Sequence, residues 1–277
     1  LDTIAGSIDF SLSVAGPGGL LPEGEAPLYQ RLAQNEPDAH DGRLARSDMK
    51  GKRRYSAAFQ GEKGAFSHSA ALKLLGETVE PIPCPSFKSV FEALRDDQAT
   101  HAVIPIENTL HGSVLENYDH LMEFGFPIRG ETSVRISHHL IAMQDTRYGE
   151  IRRAFSHPVA LNQCRRFFAE HRRIEPTPFY DTAGSVKMLA EEHPAGAAAI
   201  ASEAAAAIYG GKILRRNLED NRENYTRFFL LTKQKKPLGT ATGAWNTACA
   251  GGAVNQPGAL FKVMACFALR DLNLTKI

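Results

Sequence analysis

A threonine and an arginine stand together at the start of an apolar run near residue 230, and both side chains suit chemistry on a small anion. Thr226 and Arg227 precede the run Phe-Phe-Leu-Leu at 228–231, which predicts a buried strand. The polar stretch at 218–221 is typical of a turn. A hydroxyl that can hydrogen-bond a departing oxygen and a guanidinium that can hold a carboxylate would therefore share one strand end.

A second junction of this kind follows the apolar run at 101–106. Residues 107–109 (Glu-Asn-Thr) come directly after it, and residues 111–113 (His-Gly-Ser) follow. Polar side chains at such a place cost free energy unless they have partners, and Gly112 permits close approach of the backbone. The stretch would serve equally well as a turn that caps its own helix, so both roles stay open.

These junctions need elements that position them, and the chain supplies a repeated order of strand, polar cap and helix from residue 53 to residue 232. The order predicts an α/β fold with mostly parallel sheets. Ser67, Ser86, Asp181 and Ser202 are the predicted helix caps. In such folds ligands bind beyond the carboxyl ends of strands, where helix N-termini attract carboxylates. Neutral donors at these places would suit a small organic di-acid, although ordinary helix caps have the same signature.

Composition excludes several classes of function. The 277 residues carry a net charge of +1 and 43% hydrophobic residues, so the chain lacks the basic excess of a nucleic-acid binder. It also lacks an apolar run long enough for a membrane span. Cys84, Cys164, Cys249 and Cys266 stand far apart, which indicates neither a zinc site nor a redox pair. No GxGxxG, GxxxxGK or GxSxG motif occurs, so we expect no nucleotide cofactor, no metal and no serine-hydrolase elbow.

Taken together, the polar junctions resemble the prephenate dehydratase family, including its plant-type arogenate dehydratase branch. Each block is weakly specific, but the blocks follow one another in the family's order across about 53–232. The matching blocks are Phe59–Gly61, Gly64–Ser67, Pro105–Thr109, Gly112–Val114, Asn117–Asp119, Ser156–Pro158, Ala160-Leu161, Gln163-Cys164, Asp181–Ala183, Ala198–Ser202, Tyr209-Gly210 and Asn224–Phe228.

The resemblance implies an α/β catalytic domain at 53–235 whose two lobes enclose a cleft, as in type II periplasmic binding proteins. We expect the first lobe at about 53–131 and 212–235, and the second at about 132–211.

Three further regions flank this domain. Residues 1–52 are rich in acids, unlike an import peptide, and we predict a flexible extension there; the start at Leu1 suggests a processed or partial product. We predict a linker at 236–255. Residues 256–277 resemble the start of a ferredoxin-like (ACT) α+β module, cut short. Its partial effector site would comprise Gly258, Ala259 and Leu260, and L-phenylalanine would be the effector of a complete module.

The resemblance further implies a reaction without cofactors, in which prephenate loses water and carbon dioxide to give phenylpyruvate. Thr226 matches the family's catalytic threonine, and Thr109 stands where serine is usual. Arg227 would hold a carboxylate or form a structural ion pair, and we favour the ion pair. Phe228 is expected to pack in the core more than against the substrate. The implied substrate-binding residues are Gln60, Gly61, Ala65, Phe66, Asn108, Thr109, Gly112, Ser113, Thr182, Ala183, Arg227 and Phe228.

Other functions stay open. The chain could act on arogenate and give L-phenylalanine directly, or it could be a two-lobed sensor that binds a small acid without catalysis. A metal-dependent hydrolase is a third alternative, which sensitivity to chelators would reveal. We expect a small-molecule substrate, a homo-oligomer as in the family, no nucleic-acid or membrane partner, and a location in the cytoplasm or plastid stroma.

Overall fold

The computed structural model gives two compact units. It describes residues 7–15, 55–234, 246–254, 256–272 and 274–276. The larger unit contains the described residues within 55–117 and 126–234, and the smaller unit contains those within 7–15, 118–125 and 246–276. Among the helices in this part of the chain, none has the length and apolar character needed to cross a bilayer.

Strands and short helices alternate along the described chain. The strands are β1 (Ser7–Ala15), β2 (Ser56–Gln60), β3 (Glu80–Cys84), β4 (His101–Asn108), β5 (Gly112–Ser113), β6 (Ile128–Arg135), β7 (His139–Ala142), β8 (Arg153–Ser156), β9 (Glu175–Pro178), β10 (Ala197–Ala201), β11 (Lys212–Arg215), β12 (Tyr225–Leu231), β13 (Asn246–Val254) and β14 (Leu274–Lys276). The helices are α1 (Phe66–Leu75), α2 (Phe87–Arg95), α3 (Leu115–Phe124), α4 (Pro158–Asn162), α5 (Arg165–Glu170), α6 (Thr182–Glu192), α7 (Glu203–Tyr209) and α8 (Ala259–Ala268), with a 3₁₀ turn at Tyr148–Glu150.

The first sheet of the larger unit has the strand order β3-β2-β4-β12-β6, and β5 pairs with β4. Alternate residues of β12 enter its core, where Phe228 and Leu230 pack with Phe59 and Val103. Helix α1 covers this face. The apolar run after Arg227 is thus the buried strand that the sequence predicts.

The second sheet has the order β11-β7-β10-β8-β9. All of β10 is buried, and its small side chains let α6 pack closely on one face. Strand β8 runs parallel to β9 and β10, while β7 runs antiparallel to β10 and β11. The prediction of mostly parallel sheets is therefore wrong, because both sheets are mixed.

The chain crosses between the two sheets twice, and these crossings explain the antiparallel pairs. It leaves the first sheet after β6 to enter the second at β7, and it returns between β11 and β12. The strand that follows each crossing, β7 or β12, runs antiparallel to its neighbours in the sheet. The two-lobed α/β fold is confirmed, but β11 pairs in the second sheet although the sequence analysis placed 212–235 in the first lobe.

The helix caps follow the sequence with one exception. The side chains of Ser86, Asp181 and Ser202 accept backbone N–H groups at the starts of α2, α6 and α7, as predicted. The predicted cap at Ser67 is wrong, because α1 begins earlier and Ala65 occupies the N-cap position. Gly64, at φ +90°, turns the chain into the helix at that point, so Ser67 lies inside α1.

The smaller unit contains a sheet in which β1 pairs antiparallel with both β13 and β14. Helix α8 lies between β13 and β14 in sequence, and Gly258 precedes it with φ +78°. Strand β1 lies in the segment 1–52, which was predicted as a flexible extension, and β13 lies in the segment 236–255, which was predicted as a linker. Neither strand was predicted from the sequence. The other residues of those two segments lie outside the described residues, and the ACT assignment stays a prediction.

Candidate active site

The carboxyl end of β4 meets the start of β12, and this meeting brings together two of the predicted site residues. Asn108 lies opposite Thr226 in the antiparallel register. The Asn108 Nδ2 atom donates a hydrogen bond to Thr226 Oγ1 at 2.9 Å. Thr226 is only 9% exposed. Two side chains that are far apart in sequence therefore form one hydrogen-bonded pair at a strand end.

The orientation of the Asn108 amide is fixed by the turn that follows it. Its Oδ1 accepts the backbone N–H groups of Leu110 at 2.9 Å and His111 at 3.1 Å. Its Nδ2 must therefore face β12, where it reaches Thr226 Oγ1 and Asn224 Oδ1 at 2.9 and 2.8 Å. Thr226 Oγ1 is thus an acceptor in this pair. The hydroxyl hydrogen has no acceptor among the described residues, so it is available to a substrate oxygen.

The predicted residues next to Asn108 have mainly backbone roles. Thr109 Oγ1 donates to Glu223 O at 2.9 Å and accepts Tyr225 N–H at 3.0 Å. This hydroxyl therefore fastens the β4 end to the segment before β12. Gly112 and Ser113 form β5, which pairs back onto the end of β4 and is exposed.

Arg227 and Phe228 have the ion pair and the core packing that were favoured for them from the sequence, and their contact with substrate stays a prediction. Arg227 forms an ion pair with Glu131 on the neighbouring β6, with Nε to Oε2 at 2.9 Å. Its guanidinium also lies 5.1 Å from the centroid of the Phe229 ring. Phe228 is 2% exposed and packs in the core.

The other predicted substrate residues gather where the loop after β2 meets the second lobe. Gly61 has φ +100°, and a Cβ there would lie 2.8 Å from Asp181 Oδ2. Gln60 ends β2, and Ala65 caps α1. The Phe66 ring meets His138 edge-on, with ring centroids 5.7 Å apart.

Thr182 and Ala183 lie at the first turn of α6. Thr182 O accepts the Ser185 hydroxyl at 2.6 Å, and Ala183 is 1% exposed. Among the described residues, no hydrogen bond joins this first turn to the pair Asn108–Thr226.

Charged groups surround this contact between the lobes. Glu62 accepts Lys187 Nζ at 3.2 Å and Tyr180 OH at 3.1 Å. Partial burial and the Glu62 carboxylate raise the pKa of Tyr180 to about 12. Burial is the main cause that raises the pKa of Asp181, and Glu62 adds to it. The Glu62 carboxylate of the first lobe is thus bonded to Lys187 of α6 and to Tyr180, the residue before the N-cap Asp181.

Several polar residues near Thr226 were missed by the sequence analysis. A cavity of about 210 Å³, here called the crossover cavity, lies beside the segment 216–224, which connects β11 to β12. Its lining includes His111, Gln163, Arg165, Glu219, Asp220 and Asn224. Gln163 and Asn224 belong to blocks that carried the family resemblance, so a signal for both was present. His111, Glu219 and Asp220 lie in turns and Arg165 begins α5, and the local pattern at these places does not show what the side chains face.

Buried His138 holds Gln163 in a defined orientation. His138 Nε2 lies 2.7 Å from Gln163 Oε1, and a carbonyl oxygen can only accept, so Nε2 carries the proton. Burial lowers the pKa of His138, which keeps the ring neutral. Its backbone N–H donates to Glu219 Oε2 at 2.9 Å, while Glu219 Oε1 accepts from Arg135.

His111 can join Asn108 to Gln163. Its Nδ1 lies 3.2 Å from Asn108 Oδ1 and 3.3 Å from Gln163 Nε2. One ring nitrogen cannot donate to the first and accept from the second at once. The tautomer of His111 therefore decides which of these two bonds forms.

Fold and site define a two-lobed α/β protein with uncharged hydrogen-bond donors at a strand end. A family model described as prephenate dehydratase matches residues 57–236. The chain therefore belongs to the prephenate dehydratase family.

The names of two similar proteins agree with this assignment, and a third similar structure has a different description. Arogenate dehydratase/prephenate dehydratase 2, chloroplastic, of Arabidopsis thaliana is 40% identical over 81% of this chain and 58% of its own length. The solved prephenate dehydratase of Arthrobacter aurescens in complex with L-Phe is similar at TM-score 0.67 and 28% identity, over 78% of this chain and 72% of that one. GqqA, described as a novel type of quorum quenching acylase, is similar at TM-score 0.67 and 32% identity, over 79% and 78%. The chain spans little more than half the length of the Arabidopsis relative.

Proposed function

We propose that this chain is a carbon–oxygen lyase that converts prephenate to phenylpyruvate in L-phenylalanine biosynthesis. Membership of the family supports the reaction, and the bond from Asn108 Nδ2 to Thr226 Oγ1 carries the mechanism. Because that bond occupies the oxygen of Thr226, it leaves the hydroxyl hydrogen to be donated.

In this reaction the protein needs only to orient the substrate and to supply one proton. The ring carboxylate of prephenate leaves as carbon dioxide. The electrons of the bond between the ring and that carboxylate complete the aromatic ring as the C4 hydroxyl departs. The departing oxygen takes one proton and becomes water. Thr226 donates the hydrogen bond or the proton to that oxygen, and solvent restores the proton. General-acid assistance of this kind contributes about 10²–10⁴ in rate, while aromatisation supplies the driving force.

Replacement of the Thr226 hydroxyl tests the mechanism. Thr226→Val keeps the shape and removes the hydroxyl, so we expect kcat for phenylpyruvate formation to fall by about 10²–10⁴. Thr226→Ser keeps the hydroxyl and is expected to stay within about tenfold of the parent protein. An unchanged kcat in Thr226→Val would remove this residue from the chemical step.

Arogenate is the second candidate substrate, because the name of the Arabidopsis relative includes both activities. Incubation of the protein with prephenate and with arogenate in separate reactions distinguishes them by the product, phenylpyruvate or L-phenylalanine. Failure to convert either, with saturable binding of both, would favour the non-catalytic acid sensor.

Finer properties complete the proposal. A chloroplastic relative supports a plastid-stroma location, with the cytoplasm as the alternative. A relative solved with bound L-Phe supports regulation by this amino acid, for which Gly258, Ala259 and Leu260 are the candidate contacts. We also propose a homo-oligomer, which light scattering of the purified protein would test.

A further inference from the structure

Glu62 and Lys187 form an ion pair that joins the two lobes. Glu62 lies in the loop between β2 and α1, and Lys187 lies on α6. Both carboxylate oxygens of Glu62 accept from Lys187 Nζ at 3.2 Å, and Oε1 also accepts the Tyr180 hydroxyl at 3.1 Å. Two donors of the second lobe, 118 and 125 positions further along the chain, therefore converge on one carboxylate of the first lobe.

This ion pair is partly shielded from solvent. The exposed fraction of the side chain is 36% for Lys187 and 23% for Glu62. Neither side chain forms a second ion pair among the described residues. Screening by solvent is weaker here than for fully exposed pairs, which contribute little to stability. The pair can therefore influence how the lobes meet without dominating the stability of the whole fold.

A second carboxylate lies on the other side of the same contact. Asp181 caps α6 by accepting Gly184 N–H at 2.6 Å, and its Oδ2 would lie 2.8 Å from a Cβ at Gly61. Burial is the main cause that raises the pKa of Asp181, and the Glu62 carboxylate adds to it. The two negative charges therefore repel each other across the lobes, and Lys187 supplies a positive charge that offsets this repulsion.

The loop that carries Glu62 approaches the second lobe at another place as well. Gly64 O accepts the Ser202 hydroxyl at 2.5 Å, and a Cβ at Gly64 would lie 2.6 Å from Ala205 Cα. The predicted substrate residues at 60–66 lie on or beside this loop, and those at 182–183 begin α6. The position of the loop relative to α6 therefore sets the spacing between these two groups of residues.

We propose that Glu62, Tyr180 and Lys187 form an interlobe clasp, in which Lys187 is a positioning residue that keeps the loop 61–65 against the start of α6. The inference rests on the proposed function, because the clasp brings together predicted substrate residues of both lobes. None of its three hydrogen bonds reaches Asn108 or Thr226. Loss of the clasp lowers the fraction of molecules whose lobes are ready to bind substrate, which raises KM and leaves the chemical step unchanged.

Charge reversal tests the clasp without any need for turnover. Glu62→Lys and Lys187→Glu each place two like charges at the contact, and the double variant restores an opposite pair. Hydrogen exchange of the intact, substrate-free chain is followed by mass spectrometry. We expect exchange to be about three- to tenfold faster in each single variant, both at 61–66 and at 181–185. The effect should be larger in Lys187→Glu, which adds a negative charge beside Asp181.

The double variant should return to within about twofold of the parent exchange rates. Failure of this rescue would overturn the clasp. Faster exchange at 61–66 alone would show fraying of the loop, and it would also contradict the proposal.

Lys233 provides a matched control. Its side chain is 37% exposed and forms an ion pair with Asp97 at 2.7 Å, away from the contact between the lobes. Lys233→Glu changes the net charge by the same amount as Lys187→Glu, and exchange at 61–66 and at 181–185 should stay at the parent rate. Equal effects of the two variants would show a general charge effect and would contradict the clasp.

Steady-state kinetics separates positioning from chemistry. Glu62→Lys is expected to raise KM by about threefold or more and to keep kcat within about twofold of the parent. The added positive charge would by itself favour an anionic substrate, so a raised KM reflects the lost clasp. A fall in kcat at unchanged KM would overturn the positioning role.

Thermal unfolding of each variant is measured first. If a charge reversal does not fold, Lys187→Gln and the exposed Tyr180→Phe each remove one donor and should shift exchange in the same direction by about two- to fivefold. The exchange pattern without conversion of prephenate or arogenate would keep the clasp and reject the proposed lyase. Conversion without the exchange pattern would do the reverse.

Discussion

Asn108 Nδ2 and Thr226 Oγ1 form a 2.9 Å hydrogen bond between residues 118 positions apart in the chain. The bond assigns opposite roles to the two groups: the amide donates, and the threonine oxygen accepts. Since the Asn108 oxygen is occupied by two backbone N–H groups, the polarity of the pair cannot be reversed without breaking the turn after β4. The mechanism depends on this polarity.

Asn108→Asp should reverse the pair at almost constant shape. A carboxylate cannot donate, so the Thr226 hydroxyl would donate to it and its hydrogen would no longer reach the substrate. We expect kcat to fall by about 10² or more, with a smaller change in KM. Steady-state kinetics with prephenate and arogenate provide the measurement, and circular dichroism checks the fold. A variant with the parent kcat would show that the donor is not needed.

Arg227 is expected to be structural. Its partner Glu131 has a side chain that is 40% exposed, and that of Arg227 is 24% exposed, so the ion pair should contribute only about 0.2–1 kcal/mol to the free energy of unfolding. Arg227→Gln should lower stability by about this amount and change KM little. Urea unfolding and kinetics of Arg227→Gln, Glu131→Gln and the double variant provide the test. A large rise in KM in Arg227→Gln alone would assign this arginine to the substrate carboxylate.

Gly64 should be indispensable for the contact between the lobes. A Cβ at Gly64 would lie 2.6 Å from Ala205 Cα, and Ser202 Oγ donates to Gly64 O at 2.5 Å. Gly76 is a matched control, because its φ of +86° is similar to the +90° of Gly64 but a Cβ there meets nothing within 4 Å. Both alanine variants carry the backbone cost of a non-glycine residue at positive φ, which is about 1–3 kcal/mol.

Only Gly64→Ala adds overpacking, which costs about 1–3 kcal/mol more. Thermal and urea unfolding of the two variants measure the difference. Equal losses of stability in Gly64→Ala and Gly76→Ala would mean that the loop does not pack on α7 in solution.

Stability should fall as the pH drops from about 6.5 towards 4, and His101 is one cause. Burial, with a smaller effect of Arg129, lowers the pKa of His101 from 6.5 to about 4. Between these values the unfolded chain binds a proton that the folded chain does not, so the free energy of unfolding falls as the pH is lowered. The full contribution is present above pH 6.5 and corresponds to at most about 3 kcal/mol, less where solvent reaches the ring.

His101→Gln should remove this part of the pH dependence. Urea unfolding of the parent protein and the variant at pH 7 and pH 4.5 provides the measurement. Buried His68 and His138 also have lowered pKa values, so the variant should retain part of the slope. An identical slope in both proteins would contradict the assignment to His101.

Much of the fold follows from local sequence signals. The apolar run of β12, the small-residue strand β10 and the caps Ser86, Asp181 and Ser202 were predictable, because each depends on residues within a few positions of one another. The placement of Phe228 in the core follows from the same alternation. Local signals failed at Ser67, since the start of α1 is set by how Gly64 packs against Ala205, a contact between distant segments.

Local sequence signals do not determine the directions of the strands or the directions of the hydrogen bonds in the site. Antiparallel pairing of β12 with β4 and β6 depends on two crossings between the lobes, which no local period encodes. The side chains around Asn224 come from three separate segments, at 110–111, 162–165 and 219–221, so their meeting in one cavity could not be predicted from spacing.

The sequence by itself determined the family, most of the order of strands and helices within 55–234, and the candidacy of Asn108 and Thr226, because these depend on residue type and on neighbours along the chain. Only the tertiary structure decided which of the two donates to the other, that Arg227 is bonded to Glu131, and that Gln163 and Asn224 stand beside them. Hydrogen-bond direction and charge pairing depend on register between segments about 100 residues apart, and that register is set by packing of the whole sheet.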